Sequence, residues 1–197
     1  MEPLENPMSP ADSLRLIQTM IHTAKQDLSD HSFELLLWGW LVFAAATSHY
    51  GLLKIGYDKP WLAWPVLMSL GTVAAFVNGA RRGRRERVRT AQRDFMTFLW
   101  AGFGVLMLML IGVGTVVGWK TAYPLIIALY GLGTFATGGA LRFRPLIWGG
   151  AACWLLATVA FRVSFETQLL LVAAAVLVAY IVPGHLLKNQ YHRGRTL

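Results

Sequence analysis

The chain has 197 residues, 55% hydrophobic and only 14% charged, with a mean hydropathy of +0.48. A soluble domain carries about 25% charged residues, so a water-soluble globule of this composition is excluded. The net charge of +8 has a plain source in a membrane protein, whose cytosolic segments collect Lys and Arg.

The first residues do not read as a signal peptide, because Met1–Pro10 carries Glu2 and Glu5 and lacks both a cationic start and an apolar core. Residues 10–28 read as an amphipathic helix within a cytosolic segment, 1–30. Ser9 can cap it, Pro10 suits its first position, and Asp12 favours the positive end of its dipole. Leu14, Ile17, Ile21, Ala24 and Leu28 then recur at three- and four-residue spacing, which makes one apolar stripe. The polar side, from Asp12 and Arg15 to Lys25 and Asp27, is nearly neutral. Helices that lie on a leaflet are rich in cations there, so packing beneath a bundle and pairing with a partner helix are the stronger readings. Ser29-Asp30-His31-Ser32 is expected to break the helix and recap the next one.

Six apolar stretches follow: 35–53, 61–80, 95–118, 121–140, 145–163 and 168–187. Each is close to the ~20 residues that a helix needs to cross ~30 Å of hydrocarbon. They are continuously apolar rather than alternating, which does not fit a barrel. The expected fold is all-α: a six-transmembrane-helix domain over 31–187, then a basic tail over 188–197. With the N-terminus inside, all but four of the 18 cations fall on the cytosolic side. Lys54, Lys59, Lys120 and Arg162 fall outside. Tyr50, Tyr57, Trp61, Trp64, Trp119 and Tyr123 cluster at the outer helix ends, where amphipathic rings settle.

The spans repeat. Phe33, Leu37, Trp38 and Gly39 recur as Phe95, Leu99, Trp100 and Ala101, and again as Phe143, Ile147, Trp148 and Gly149. Trp64-Pro65 with Leu70, Phe76 and Gly79 recurs as Tyr123-Pro124 with Leu129, Phe135 and Gly138. Tyr180 and Pro183-Gly184 form a weaker copy in the last span. The reading is three tandem helical hairpins in parallel topology, either closed about a pseudo-threefold axis or set in a row. Gly102, Gly104, Gly112, Gly114, Gly131, Gly133, Gly138, Gly139, Gly149 and Gly150 are candidates for close helix contacts, internal or between copies.

The loudest polar feature is the run of Arg81, Arg82, Arg84, Arg85, Arg87 and Arg89, followed by Arg93. Its first explanation is cytosolic placement against anionic headgroups, worth ~1 kcal/mol per cation. A protein partner comes second. Nucleic acid is disfavoured, since no aromatic residues interleave the run. The spans hold almost no ionisable groups, although a charge at that depth normally marks ion or proton coupling. Ser69, Thr72, Thr115, Tyr130, Thr134 and Thr158 are their central polar residues. The outer end offers one candidate polar cluster: His49, Tyr50, Asp58 and Glu166. His185 lies at the opposite end from His49, so these two cannot pair as haem ligands. Cys153 reads as a small packing residue, and neither a nucleophile–base set, metal spacing nor a cofactor motif stands out.

Several segments carry a resemblance: Gln18 to Ile21, Ala24-Lys25, Phe33 to Trp40, His49-Tyr50, Arg144 to Gly150, and Tyr180 to Leu187. In these the chain resembles a family of small uncharacterised multi-pass inner-membrane proteins of Bacteroidetes-type bacteria. The resemblance implies a bacterial cytoplasmic membrane location and brings no activity, cofactor or catalytic residue. The expected function is a non-enzymatic membrane module that binds a cytosolic partner or forms a homo-oligomer. The alternative is a small channel or transporter for an apolar or amphipathic solute.

Overall fold

The computed structural model describes the backbone of residues 10–83 and 91–193, and the side chains of residues 32–80, 92 and 94–189. Arg84, Arg85, Arg87 and Arg89 lie outside the described residues. So do the side chains of Arg81, Arg82, Arg93, Leu14, Ile17, Ile21 and Leu28. The described elements are all helical. They are α1 (Pro10–Lys54), α2 (Ala63–Gly83), α3 (Ala91–Val117), α4 (Trp119–Ala140), α5 (Arg144–Ala160), α6 (Phe165–Val176) and α7 (Val182–Arg193). A 3-10 turn at Pro60–Leu62 leads into α2, and a π turn at Leu177–Ile181 joins α6 to α7.

Four stretches are long and apolar enough to cross a membrane: Ser32–Lys54, Pro60–Ala80, Asp94–Val117 and Phe165–Asn189. α4 has the length, at 22 residues, but carries Lys120, Tyr123, Pro124, Tyr130 and several glycines and threonines. α5 is apolar but shorter, at 17 residues. The outer surface is that of a bilayer protein. Phe76, Phe98, Leu108, Val116, Trp148 and Leu155 are each more than 70% exposed, an apolar area that water would not tolerate on a monomer.

Two local expectations fail. Ser29–Ser32 does not interrupt α1, which runs unbroken for 45 residues, about 67 Å. No Gly or Pro falls between Ala11 and Trp38. The modest helix cost of a few Ser and Asp residues is smaller than that of nucleating a second helix. The last span is also not one regular helix. Pro183 has no N–H to offer the Ala179 carbonyl, and the helix widens just before it into the π turn, closed by the Val182 N–H on the Leu177 carbonyl.

The turns have local causes. Gly118, at φ 107°, permits the tight α3–α4 connection. α4 ends in a Schellman motif: the Phe143 N–H bonds the Gly138 carbonyl at 2.9 Å and the Arg142 N–H bonds Gly139 at 3.1 Å. Arg142 takes the left-handed conformation, φ 52°, that glycine usually fills there.

α6, the π turn and α7 form the centre, with 56% of that span buried, against 6% for α2 and for α3. α1 packs along one side of this centre, and α4 with α5 along the other. α2 lies on α1, and α3 lies on α4. Among the described residues the backbones of α2 and α3 do not approach each other, nor do those of α1 and α4. Glycine makes the inner contacts possible. A Cβ on Gly39 would meet the Tyr180 Cβ at 2.9 Å, and one on Gly149 would meet the Ala179 Cα at 2.9 Å. α4 and α5 come closest where a Cβ on Gly150 would meet the Gly131 carbonyl oxygen at 2.7 Å. Gly102, Gly104, Gly112 and Gly139 face open space, so they serve no contact within the described bundle.

Gly150→Ala is therefore expected to destabilise the fold by ~1–3 kcal/mol, because rigid backbone would have to move. Gly104→Ala is expected to leave stability unchanged or raise it. Thermal unfolding of both variants in the same detergent checks this; an equal response at the two positions would contradict the packing.

Candidate functional site

The end of the bundle where α1 finishes gathers most of its polar and aromatic side chains. The ends of α1 and α5 and the starts of α2, α4 and α6 meet there. Lys54 and Glu166 form an ion pair that links α1 to α6. Both side chains are about half exposed, at 52% and 49%. Solvent screening therefore leaves the pair a small part in stability. The Lys54 ammonium also lies 5.6 Å from the Tyr50 ring centroid.

Beneath this pair, His49 is buried and its Nδ1 accepts a hydrogen bond of 3.0 Å from the Trp64 indole N–H. Indole nitrogen only donates, so the contact fixes Nδ1 as the unprotonated nitrogen of His49. The rings continue inward. His49 stands edge-on to Phe165 at 5.7 Å, Phe165 to Tyr123 at 5.5 Å, and Tyr123 contacts Trp64 at 6.1 Å and Trp119 at 5.9 Å. The cluster ties α1, α2, α4 and α6 together with the offset and edge geometries that aromatic quadrupoles favour.

Gln168 closes the floor. It is fully buried, and its amide donates to the Lys120 carbonyl at 2.8 Å and the Ala160 carbonyl at 2.9 Å. Both acceptors lack the usual helical partner. The Lys120 carbonyl would be bonded by residue 124, which is Pro124 and has no N–H. Ala160 is the last residue of α5, whose final carbonyls are free by construction. One amide therefore satisfies an acceptor orphaned by a proline and another orphaned by a helix end. The Gln168 Oε1 is itself buried with no partner among the described residues.

The structure thus brings His49, Tyr50 and Glu166 to one end but gives them separate partners. Asp58 stands exposed on the α1–α2 loop and makes no hydrogen bond or ion pair with the described residues. Among the described residues no three His, Cys, Asp or Glu side chains gather where a metal ion would need them. The residues that organise this end most strongly, Gln168 and Trp64, were not singled out from sequence as a pair of clamps. A signal existed for the first: a lone amide opening an apolar span, beside a helix with an internal proline.

Elsewhere the polar groups of the spans are settled locally. The Thr134 hydroxyl donates to Tyr130 at 2.8 Å, Thr137 to Gly133 at 2.7 Å and Thr47 to Phe43 at 2.8 Å, each within its own helix. The Trp154 indole reaches from α5 to the Ala128 carbonyl of α4 at 3.2 Å. Asn78 in α2, whose Nδ2 is buried without a partner among the described residues, and Tyr180 in the π turn are exceptions. The Tyr180 ring meets Tyr130 edge-on at 5.7 Å, and its hydroxyl is buried without a partner among the described residues.

No family model matches the chain, and no curated protein and no solved structure is similar to it.

Gln168→Leu is expected to orphan two carbonyls, one buried and one partly buried, at ~1–3 kcal/mol each. Pro124→Ala restores an N–H to the Lys120 carbonyl, so the same substitution should cost roughly half as much on that background, since one of the two orphans is removed. A thermal-unfolding double-mutant cycle measures it; equal costs on both backgrounds would remove the clamp.

Proposed function

We propose that the chain is a six-span protein of the bacterial cytoplasmic membrane, with both termini in the cytosol. In this reading α4 and α5 supply the fourth and fifth crossings, and the spans are three tandem hairpins. It works as a non-enzymatic module that holds a cytosolic partner, or a second copy, through the helical extension of α1. The Arg81–Arg93 region lies against anionic lipid at the inner leaflet in this arrangement.

The observation that carries the reading is the continuity of α1. The span accounts for Ser32–Lys54, and the helix continues back to Pro10, roughly 33 Å beyond it. The apolar spacing of Leu14, Ile17, Ile21, Ala24 and Leu28 also continues in phase through Leu35, Val42, Ala45 and His49, which the bundle buries. A straight helix drifts only about 20° per heptad. The projecting stripe therefore extends the face with which α1 already binds α6 and α7. Helices are recognised through such stripes at three- and four-residue spacing. A rigid continuation of a membrane span also places the stripe away from the leaflet rather than along it.

Deleting residues 1–30 is expected to abolish partner recovery or reduce the oligomer size of the solubilised protein, while the membrane domain stays inserted. Unchanged recovery and size would sink the module reading. Orientation is tested separately: on a Cys153→Ala background, Asp58→Cys should react with a membrane-impermeant maleimide on intact cells and Ser9→Cys should not.

A second reading, the channel or uptake protein for an apolar or amphipathic solute, is favoured by one observation. The backbones of α2 and α3 do not approach each other among the described residues.

A further inference from the structure

We propose that the hydrogen bond between Trp64 and His49 is an acid-released latch. It fastens the start of α2 to α1 while His49 is neutral, and lets it go when the imidazole takes up a second proton.

Among the described residues the α2 backbone approaches α1 and the 3-10 turn before it, and no other helix. Its seat on α1 rests on two contacts. Midway along, Gly71 lies so close to α1 that a Cβ there would meet the Leu41 Cδ1 at 2.6 Å and the Trp38 ring at 3.1 Å. Nearer the start, about 10 Å along the helix from Gly71, the Trp64 indole N–H donates to His49 Nδ1 at 3.0 Å. His49 is buried and cannot follow α2, because Phe165 of α6 stands edge-on to its ring at 5.7 Å. Loss of the Trp64 contact therefore leaves α2 held at Gly71, with its start free to move away from α1.

The contact exists in one protonation state. An indole N–H only donates, so it needs a ring nitrogen with a free lone pair. Neutral His49 offers Nδ1 and carries its proton on Nε2. In the imidazolium both nitrogens are donors, and no rotation of the ring restores an acceptor. The Trp64 N–H then faces another N–H and loses the acceptor that ties it to α1. The ionisable groups around it do not take over the role. Lys54 and Glu166 are bound to each other, and Tyr50 lies against Lys54. Tyr57, Asp58 and Lys59 are exposed on the α1–α2 loop, Lys120 at the start of α4 and Arg162 on the α5–α6 turn. Among the described residues none of these reaches His49 by a hydrogen bond. Tyr123 of α4 meets the Trp64 ring, not His49. Histidine changes charge between about pH 5 and 8, so the latch is shut above that window and opens as the pH falls through it. In the proposed topology this end faces away from the cytosol, and the latch reads external acidity.

The test is the distance between two spin labels on the full chain in nanodiscs, read by double electron–electron resonance at about pH 8 and pH 5. On a Cys153→Ala background the labels go on Val66→Cys in α2 and Arg162→Cys in the α5–α6 turn, both exposed positions. The distance distribution is expected to be narrow at the higher pH, and to broaden and move to longer distances at the lower. In His49→Asn, whose amide oxygen accepts from the indole at either pH, the narrow distribution should persist in acid. In Trp64→Phe, which keeps a ring but has no N–H to lose, the two distributions should coincide. Identical distributions at both pH values with His49 and Trp64 in place overturn the latch. An acid shift that persists in Trp64→Phe overturns it as well, whatever His49→Asn does, because another group would then be responsible.

Discussion

Helices in lipid gain nothing from hiding apolar surface from one another, because the surrounding chains are equally apolar. Their association depends on how closely the backbones can approach. In this protein that approach is concentrated on the central element formed by α6, the π turn and α7, and on the α4–α5 seam beside it. Gly39 lets α1 meet the π turn, Gly149 lets α5 meet it, and Gly131 and Gly150 bring α4 and α5 almost backbone to backbone. A single methyl group at these positions would meet main-chain or Cβ atoms, which cannot swing aside. The peripheral helices contrast with this. α2 and α3 keep most of their surface for lipid, and several of their glycines face nothing.

The second constraint is the accounting of backbone carbonyls. Prolines at positions 124 and 183 each remove one donor from a helix that lies in the apolar layer. The two are handled differently. At Pro124 a side chain from another helix, Gln168, supplies the missing donor and joins α4, α5 and α6 in doing so. At Pro183 the backbone itself changes pitch. The first solution stiffens the Lys54 end. The second sets Tyr180 in the core, where its ring meets Tyr130 of α4 edge-on.

The two ends of the molecule are therefore built differently. The Lys54 end is tied by an ion pair, an indole–imidazole hydrogen bond, a chain of rings and the Gln168 amide. At the opposite end α1 runs on as an unbroken helix, and Arg142, Arg144 and Lys188 at the neighbouring helix ends are exposed. One end is thus tied together by side-chain contacts, and the other projects a helix.

Composition and hydropathy by themselves determined that the fold is all-α and that several of its helices are built to cross a membrane, because 20-residue uncharged runs leave a chain few alternatives. Glycines as the means of close helix contact were legible in part, at Gly131, Gly138, Gly149 and Gly150. Sequence did not determine the continuity of α1: the Ser29–Ser32 signal is local, and the helices on either side of it outweigh it. Nor did it determine which glycines face inward, because Gly131 and Gly104 look alike until neighbours are known. Only the tertiary structure paired Gln168 with two orphaned carbonyls, Trp64 with His49, and Tyr180 with Tyr130. Those partners are 8 to 50 residues apart in the chain, and no local pattern encodes a contact that exists only once α6 has been laid between α1 and α4.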